Sequence, residues 1–115
     1  HRQGEKAAAV GFDWNNADEV MHKVDEELIE LKDAIKTRNA TSIQHELGDV
    51  LMALCSLGRH LSTPAESALR EANERFHTRF VEMERIAASD RTRLGDLNAA
   101  QKEALWEQAK RRHKQ

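Results

Sequence analysis

The chain has 115 residues, of which 39% are hydrophobic and 33% charged, a composition typical of one small domain with a real core. One proline and five glycines leave few of the breaks that a many-stranded sheet requires, so the composition favours helices. A formal net charge of −2 gives no electrostatic basis for binding nucleic acid, and neither a membrane-spanning apolar run nor a signal-peptide pattern is expected.

The start of the chain predicts a short helix followed by a long one. Residues 5–10 are rich in alanine, and Gly11 is placed to end the short helix. Phe12 comes next and is expected in the core. Residues 16–19 (Asn-Ala-Asp-Glu) are typical of a capping box, which begins a helix that reaches about Arg38.

This first long helix carries carboxylates beside its apolar stripe. The stripe consists of Val20, Val24, Leu28, Leu31 and Ile35. With about 100° of rotation per residue, Glu27 falls roughly 20° from Val20, on the edge of the stripe. Glu30 and Glu26 fall farther round on the same side, at about 80° and 120°. One glutamate is therefore expected at the buried edge of the helix, with two others flanking it.

The second long helix repeats this arrangement. Residues 41–44 (Thr-Ser-Ile-Gln) predict a second capping box, and the helix reaches about Leu61. Its stripe consists of Ile43, Leu47, Val50, Leu54, Leu57 and Leu61. Glu46 and Asp49 lie about 60° and 120° from Ile43, displaced in the same rotational sense as the first set. In an antiparallel hairpin, both acidic sets would lie on one side.

Carboxylates that converge beside an apolar interface repel one another unless a cation is present. An all-oxygen site suits Mg²⁺ or Mn²⁺ better than zinc or copper. The alternative is a solvated acidic face that neighbours such as Lys23 and Lys32 neutralise. The repeated spacing favours the metal site, with four ligands: Glu27, Glu30, Glu46 and Asp49.

Two more helices are predicted in the second half of the chain. Thr63, Pro64 and Glu66 are typical of a helix start, with Thr63 as the cap. One face of this helix carries Leu69, Ala72, Phe76, Phe80 and Met83. Asn73 falls on that apolar face, where a buried amide would need partners, and Arg79 flanks it while Arg75 points farther away.

The last predicted helix begins with a capping box at residues 98–101 (Asn-Ala-Ala-Gln) and runs to about His113. Trp106 is its only large anchor. The basic residues 110–114 are interpreted as the end of a helix, where positive charge complements the helix dipole, and not as a binding tail. Cys55, the single cysteine, cannot form an internal disulfide and is expected to be a buried reduced thiol in a cytoplasmic protein.

The acidic pattern, Glu-Glu-x-x-Glu followed by Glu-x-x-Asp, resembles the signature of the all-α nucleoside triphosphate pyrophosphohydrolases, and of the MazG family most closely. Further blocks resemble that family at residues 10–14, 46–51, 57–61, 72–80 and 105–107. One departure is Asn15-Asn16, where a proline-containing turn is expected. The resemblance covers nearly the whole chain, which we treat as a single domain. Since it begins at His1 and not at a methionine, we expect a fragment of a longer chain. MazG proteins often carry two such domains in tandem, and this chain resembles the second of a pair or a single-domain relative.

This resemblance implies an all-α bundle of four main helices and a short N-terminal one, assembled as a homodimer or dimer of dimers. It implies Mg²⁺-dependent hydrolysis of a nucleoside triphosphate to the monophosphate and pyrophosphate, with Glu26 orienting water or holding a second ion. The substrate contacts that it suggests are Lys23, Asn73, Arg75 and Arg79 for the phosphates, with Trp14 and Trp106 lining a pocket. For Trp14, packing within the bundle remains an equal alternative to a wall against the base.

Three other interpretations stay open at this point. The enzyme could serve one dedicated substrate, such as dCTP, dUTP or phosphoribosyl-ATP. The domain could instead be a non-catalytic module that senses nucleotide or binds a partner, although all four ligand positions are acidic. A di-iron bundle normally uses Glu-x-x-His pairs, whereas His45 directly precedes Glu46 and falls on another face.

Overall fold

All regular structure in the part of the chain that the computed structural model describes, residues 2–112, is helical. The elements are α1 (Arg2–Ala9), α2 (Ala17–Thr37), α3 (Ala40–His60), α4 (Ala65–Ser89), a 3₁₀ turn (Leu94–Asp96) and α5 (Ala99–Arg112). The predicted all-α class is confirmed. The chain divides into two compact units, the first ending at Ala68 and the second beginning at Leu69. Among the described helices, none is both long enough and apolar enough to cross a membrane.

Local signals placed most helix ends correctly. Gly11 closes α1 with a left-handed backbone, φ 85°, a conformation that glycine adopts without steric cost. At the start of α2, Asn16 Oδ1 accepts a hydrogen bond from the Glu19 amide at 2.9 Å. The Glu19 carboxylate accepts in return from the amide of Asn15, at 3.2 Å, rather than from that of Asn16. The predicted Asn16 cap is confirmed, whereas the reciprocal hydrogen bond of the box forms one residue earlier than predicted.

The predicted cap of α3, Thr41, is wrong by two residues. The helix begins at Ala40, and Asn39 caps it by accepting a hydrogen bond from the Ser42 amide at 3.0 Å. Arg38 ends α2 in the left-handed region, with φ 58°. Asn39 then has extended backbone and reaches the free amides of the next helix before Thr41 can.

The predicted cap of α4 is also wrong. The helix begins at Ala65, and the Pro64 carbonyl accepts from the Ala68 amide at 3.0 Å. Thr63 has another role, because its amide donates to the Gly58 carbonyl at 2.8 Å and so closes the C-terminus of α3. The same residue therefore ends one helix instead of beginning the next.

Helices α2 and α3 form an antiparallel hairpin, because two long packed helices are joined by only two residues. The predicted stripes are buried only in part, at Val20 and Val24 on α2 and Val50 on α3. The remaining buried residues lie towards the acidic side of each wheel: Glu27 and Ala34 on α2, and Ala53 and Ser56 on α3. Five predicted stripe residues are exposed: Leu28, Ile35, Leu47, Leu54 and Leu61. Small and β-branched side chains line the acidic side and let the backbones approach closely, which brings the carboxylates inward.

Two further burial predictions fail in this chain. Phe12 is 81% exposed instead of lying in the core, in the segment that follows the turn at Gly11. Cys55 is free and only partly buried. In the second unit, the predicted stripe of α4 is buried only at its C-terminal end, where Met83 lies with Ile86 and Ala87. Leu69, Phe76 and Phe80 are exposed.

The second unit has an ion network that links α4 to α5. The Glu82 carboxylate accepts hydrogen bonds from Arg85, at 3.0 and 2.5 Å, and from Arg112, at 2.9 Å. The helix α5 begins with the predicted capping box, in which Asn98 and Gln101 exchange hydrogen bonds at 2.8 and 2.9 Å. Its predicted end at His113, and Lys114 of the basic stretch, lie outside the described residues.

This network predicts part of the acid sensitivity of the fold. The hydrogen bonds from Arg85 lower the pKa of Glu82 from 4.5 to about 2. Because the folded pKa is the lower one, the carboxylate stabilises the fold above pH 4.5, and this contribution is lost as the pH falls towards 2. Glu82→Gln should therefore flatten the dependence of unfolding free energy on pH in this window, measured by urea denaturation. Glu84→Gln, at an exposed position on the same helix, is the control, and equal slopes in wild type and Glu82→Gln would contradict the assignment.

Candidate metal centre

Three of the predicted ligands converge between α2 and α3. Glu27, Glu30 and Glu46 each place one carboxylate oxygen so that the three atoms lie within 4.8 Å of one another. Glu27 and Glu30 lie three residues apart on α2, and Glu46 comes from α3. The spacing of the acidic residues predicted that these three carboxylates would meet, and the hairpin brings them together.

Burial makes this cluster costly without a compensating charge. Glu27 is only 4% exposed, and its Oε2 has no hydrogen-bond partner among the described residues. Glu46 Oε2 is likewise buried and has no hydrogen-bond partner among residues 2–112. Carboxylate oxygens that lose water without gaining a donor cost several kcal/mol, on the order of 1–3 each or more. Two such oxygens beside a third carboxylate have the chemistry of a hard divalent cation site.

The charges within the cluster perturb Glu30. The negative charge of Glu27 raises the pKa of Glu30 above 4.5, with further contributions from partial burial and from Glu46. A divalent cation would reverse this effect, because its charge favours the ionised form of every carboxylate around it. The mutual repulsion of these carboxylates therefore fits a bound divalent cation, which the sequence pattern suggested.

Lys23 places a positive charge beside the cluster. Its Nζ lies 2.8 Å from Glu27 Oε1 and 3.8 Å from Glu26 Oε2. The hydrogen bond to Glu27 raises the pKa of Lys23 above its ordinary value of 10.5. Lys23 engages one oxygen of Glu27 and leaves the other, Oε2, without a partner. Glu26 itself is largely exposed and is absent from the three-carboxylate group.

Asp49, the fourth predicted ligand, belongs to a second group that shares Glu46. His45, Glu46 and Asp49 also place one ligand atom each within 4.8 Å of one another. His45 Nε2 lies 3.3 Å from Asp49 Oδ2. This contact was not predicted, although the sequence carries its signal: His45 and Asp49 are four residues apart and so share a helix face.

A cluster that the sequence analysis did not predict lies at the other end of α3. Arg59 Nη1 and Nη2 donate to Asp13 Oδ2 and Oδ1 at 2.6 and 2.9 Å, and His60 Nε2 lies 3.1 Å from the same carboxylate. The hydrogen bonds from Arg59 hold the pKa of Asp13 well below its usual range. The only sequence signal was that residues 10–14 and 57–61 both fell in family-like blocks. Trp14, the neighbour of Asp13, lines a cavity of about 240 Å³ and is 41% exposed.

The remaining predicted substrate contacts lie in the second unit. The Arg79 guanidinium sits over the Trp106 ring at 5.5 Å, and the Phe76 and Trp106 ring centres are also 5.5 Å apart. Arg79 Nε is buried and has no hydrogen-bond partner among residues 2–112. Arg75 forms an ion pair with Glu71 at 2.7 Å. Asn73 is exposed, so the alternative of a buried amide joining two helices is wrong for this chain.

Comparison with known proteins gives consistent matches. A family model described as the MazG nucleotide pyrophosphohydrolase domain matches residues 15–82, which include all four predicted ligands. The chain is 38% identical over 110 residues to a nucleoside triphosphate pyrophosphohydrolase of Escherichia coli (strain K12), covering 92% of this chain and 41% of that protein. It is 39% identical over 106 residues to the nucleoside triphosphate pyrophosphohydrolase/pyrophosphatase MazG of Thermotoga maritima, covering 92% and 40%. The chain thus spans about two fifths of the length of these relatives.

Proposed function

Because the chain belongs to the MazG nucleotide pyrophosphohydrolase family, we propose that it hydrolyses a nucleoside triphosphate to the monophosphate and pyrophosphate with Mg²⁺ as cofactor. Mn²⁺ is a possible substitute, since it shares the preference for oxygen ligands. The observation that carries this proposal is the convergence of Glu27, Glu30 and Glu46 with two buried carboxylate oxygens that have no partner in the described chain. In this function the whole chain would act as one catalytic domain.

Glu27, Glu30, Glu46 and Asp49 would hold the cation. When bound, the cation would offset the charge of the polyphosphate and acidify a water molecule. Glu26, which reaches solvent beside the cluster, would orient the attacking water by accepting its hydrogen bond. Lys23 would exchange its contact with Glu27 for a phosphate oxygen, because both are anionic and its side chain is partly exposed.

The other substrate contacts belong to the same proposal. Arg75 and Arg79 are candidates for the phosphates, and Asn73 can donate a hydrogen bond from its exposed amide. Trp14 and Trp106 present aromatic surface of the kind on which a nucleobase stacks. Phosphoryl transfer would need a glycine-rich loop or an equivalent cradle, and the sequence has no such motif.

Self-association is a further part of the proposal. The exposed leucine face, formed by Leu28, Leu47, Leu54 and Leu61 with Ile35, is apolar surface that a second copy would cover in a homodimer or dimer of dimers. The family resemblance and the single free cysteine also favour a cytoplasmic location.

The products test the proposed reaction directly. Incubation with each ribo- and deoxyribonucleoside triphosphate and Mg²⁺ should yield pyrophosphate and a monophosphate, identified by anion-exchange chromatography. A single active substrate would point to a dedicated enzyme.

Glu30→Ala and Asp49→Ala should each lose about 100-fold or more of this activity, because each removes a charge that holds the cation. Orthophosphate and a diphosphate as first products would overturn the assignment even if the metal centre proved real.

A further inference from the structure

The side chain of Asp13 forms four hydrogen bonds to three residues of the first unit. Arg59 donates two in a fork, at 2.6 and 2.9 Å, and His60 Nε2 lies 3.1 Å away. The fourth comes from the backbone amide of Trp14, which donates to Asp13 Oδ1 at 2.9 Å. One carboxylate therefore ties the C-terminal end of α3 to the backbone that carries the Trp14 indole.

This ion pair is more enclosed than an ordinary surface pair. The side chains of Asp13, Arg59 and His60 are 18%, 21% and 13% exposed. A fork-shaped guanidinium contact fixes direction as well as distance, which a single ammonium contact does not. Residues 13 and 59 are 46 positions apart, so the contact is a tertiary one that the local sequence does not require.

The segment around Trp14 is also held from its other side. The amide of Asn15 donates to the Glu19 carboxylate, which is part of the capping box of α2. Despite these restraints on the backbone, the Trp14 indole stays 41% exposed, and it borders the cavity of about 240 Å³ together with Phe12 and Asn15. The chain thus fixes the backbone of an aromatic residue firmly and leaves its ring open to solvent.

The position of this cavity relates it to the metal centre. Trp14 precedes the first residue of α2, and Glu27 lies ten residues into that helix, roughly 15 Å along its axis. An extended nucleotide with its phosphates at the carboxylates can reach that end of the hairpin with its base. An exposed indole on a restrained backbone offers the π-face that a base needs for stacking.

We propose that Asp13, held by Arg59 and His60, is a positioning residue that sets Trp14 as one wall of the site for the base of the substrate. This inference rests on the proposed function for the identity of the ligand. Asp13 also lines this cavity, but Arg59, His60 and the Trp14 amide engage both of its carboxylate oxygens, so it acts through Trp14. Its loss should therefore weaken recognition of the base while leaving recognition of the phosphates unchanged.

The experiment compares two ligands that share phosphates and differ in the base. Dissociation constants are measured with Mg²⁺ for inorganic triphosphate and for the α,β-methylene analogue of whichever nucleoside triphosphate wild type binds most tightly. Asp13→Asn and Arg59→Lys are the test variants, since lysine keeps the charge but loses the fork. Asp33→Asn, which removes an exposed carboxylate elsewhere on the first unit, is the matched control. Circular dichroism and melting curves establish that each variant is folded.

In Asp13→Asn and Arg59→Lys we expect about tenfold weaker binding of the nucleotide analogue, as for the loss of one charge-assisted hydrogen bond, and triphosphate binding within about twofold of wild type. Acrylamide quenching of Trp14 fluorescence, measured in a Trp106→Phe background, should change in the same two variants. Equal weakening of both ligands would mean a merely structural role and would overturn the proposal, as would unchanged nucleotide binding. Should Asp13→Asn not fold, Arg59→Lys decides by the same criteria.

Pyrophosphate release by wild type is measured separately. Wild type that binds the nucleotide more tightly than triphosphate, yet releases no pyrophosphate, would refute the proposed function and leave the positioning role to be decided by the binding data. Wild type that binds both ligands equally would overturn the positioning role whatever its activity.

Discussion

Glu27→Gln should abolish the metal-dependent properties of this protein while leaving the metal-free fold as stable as before or more so. Glu27 is the most buried of the carboxylates, and its Oε2 has no partner in the described chain, so we expect it to be the central ligand. Glutamine keeps the shape but removes one of the charges that raise the pKa of Glu30. Activity should fall by about 100-fold or more.

Thermal melting with and without Mg²⁺ measures both the stabilisation by the cation and the stability of the metal-free fold. A cation that binds only the native state stabilises wild type by about 2.7 kcal/mol at a hundred times its dissociation constant. Glu27→Gln should lose this increase in melting temperature, whereas Asp33→Asn, an exposed control on the same helix, should keep it. The metal-free melting temperature of Glu27→Gln should equal or exceed that of wild type.

The contact with Lys23 provides the opposing interpretation. If the 2.8 Å pair of Lys23 and Glu27 were purely structural, Glu27→Gln would lower the metal-free melting temperature, because a charge would lose its partner. We expect little such cost, since the Lys23 side chain is 38% exposed and its ammonium can return to water. A destabilised variant that still responded fully to Mg²⁺ would refute the metal assignment.

Two glycines of α3 should respond to alanine in opposite directions. A Cβ at Gly58 would lie 2.6 Å from the backbone oxygen of Thr63 and 3.1 Å from the amide nitrogen of Ala65. The loop cannot retreat freely, because the Thr63 amide donates to the Gly58 carbonyl at 2.8 Å. Gly58→Ala should therefore lower the free energy of unfolding by about 1–3 kcal/mol.

Gly48→Ala, in the same helix, is the control for Gly58→Ala. A Cβ there meets nothing within 4 Å, so alanine should raise the free energy of unfolding by roughly 0.5–1 kcal/mol through its better helix propensity. Urea denaturation of both variants measures the difference. A change of the same sign at both positions would contradict the close approach at the end of α3.

The sequence by itself determined the helices and the acidic residues that the hairpin brings together. Helix starts such as Asn16 and Asn98 were correct because a capping box is a contact between residues three apart, whose geometry depends on little else. The spacing of Glu27 and Glu30 placed both on one flank of α2 for the same reason. The α2–α3 hairpin followed from the short connection between the two helices.

Only the tertiary structure decided which side of each helix is buried and which distant residues meet. The helical wheel marked Leu28 and Leu47 as core, yet both are exposed, because the helices pack through the smaller residues on the acidic side. A wheel describes one helix and contains no information about how closely its neighbour can approach. The pairing of Asp13 with Arg59 was likewise invisible in the sequence, since charged residues 46 positions apart become partners only when the fold closes the distance between them.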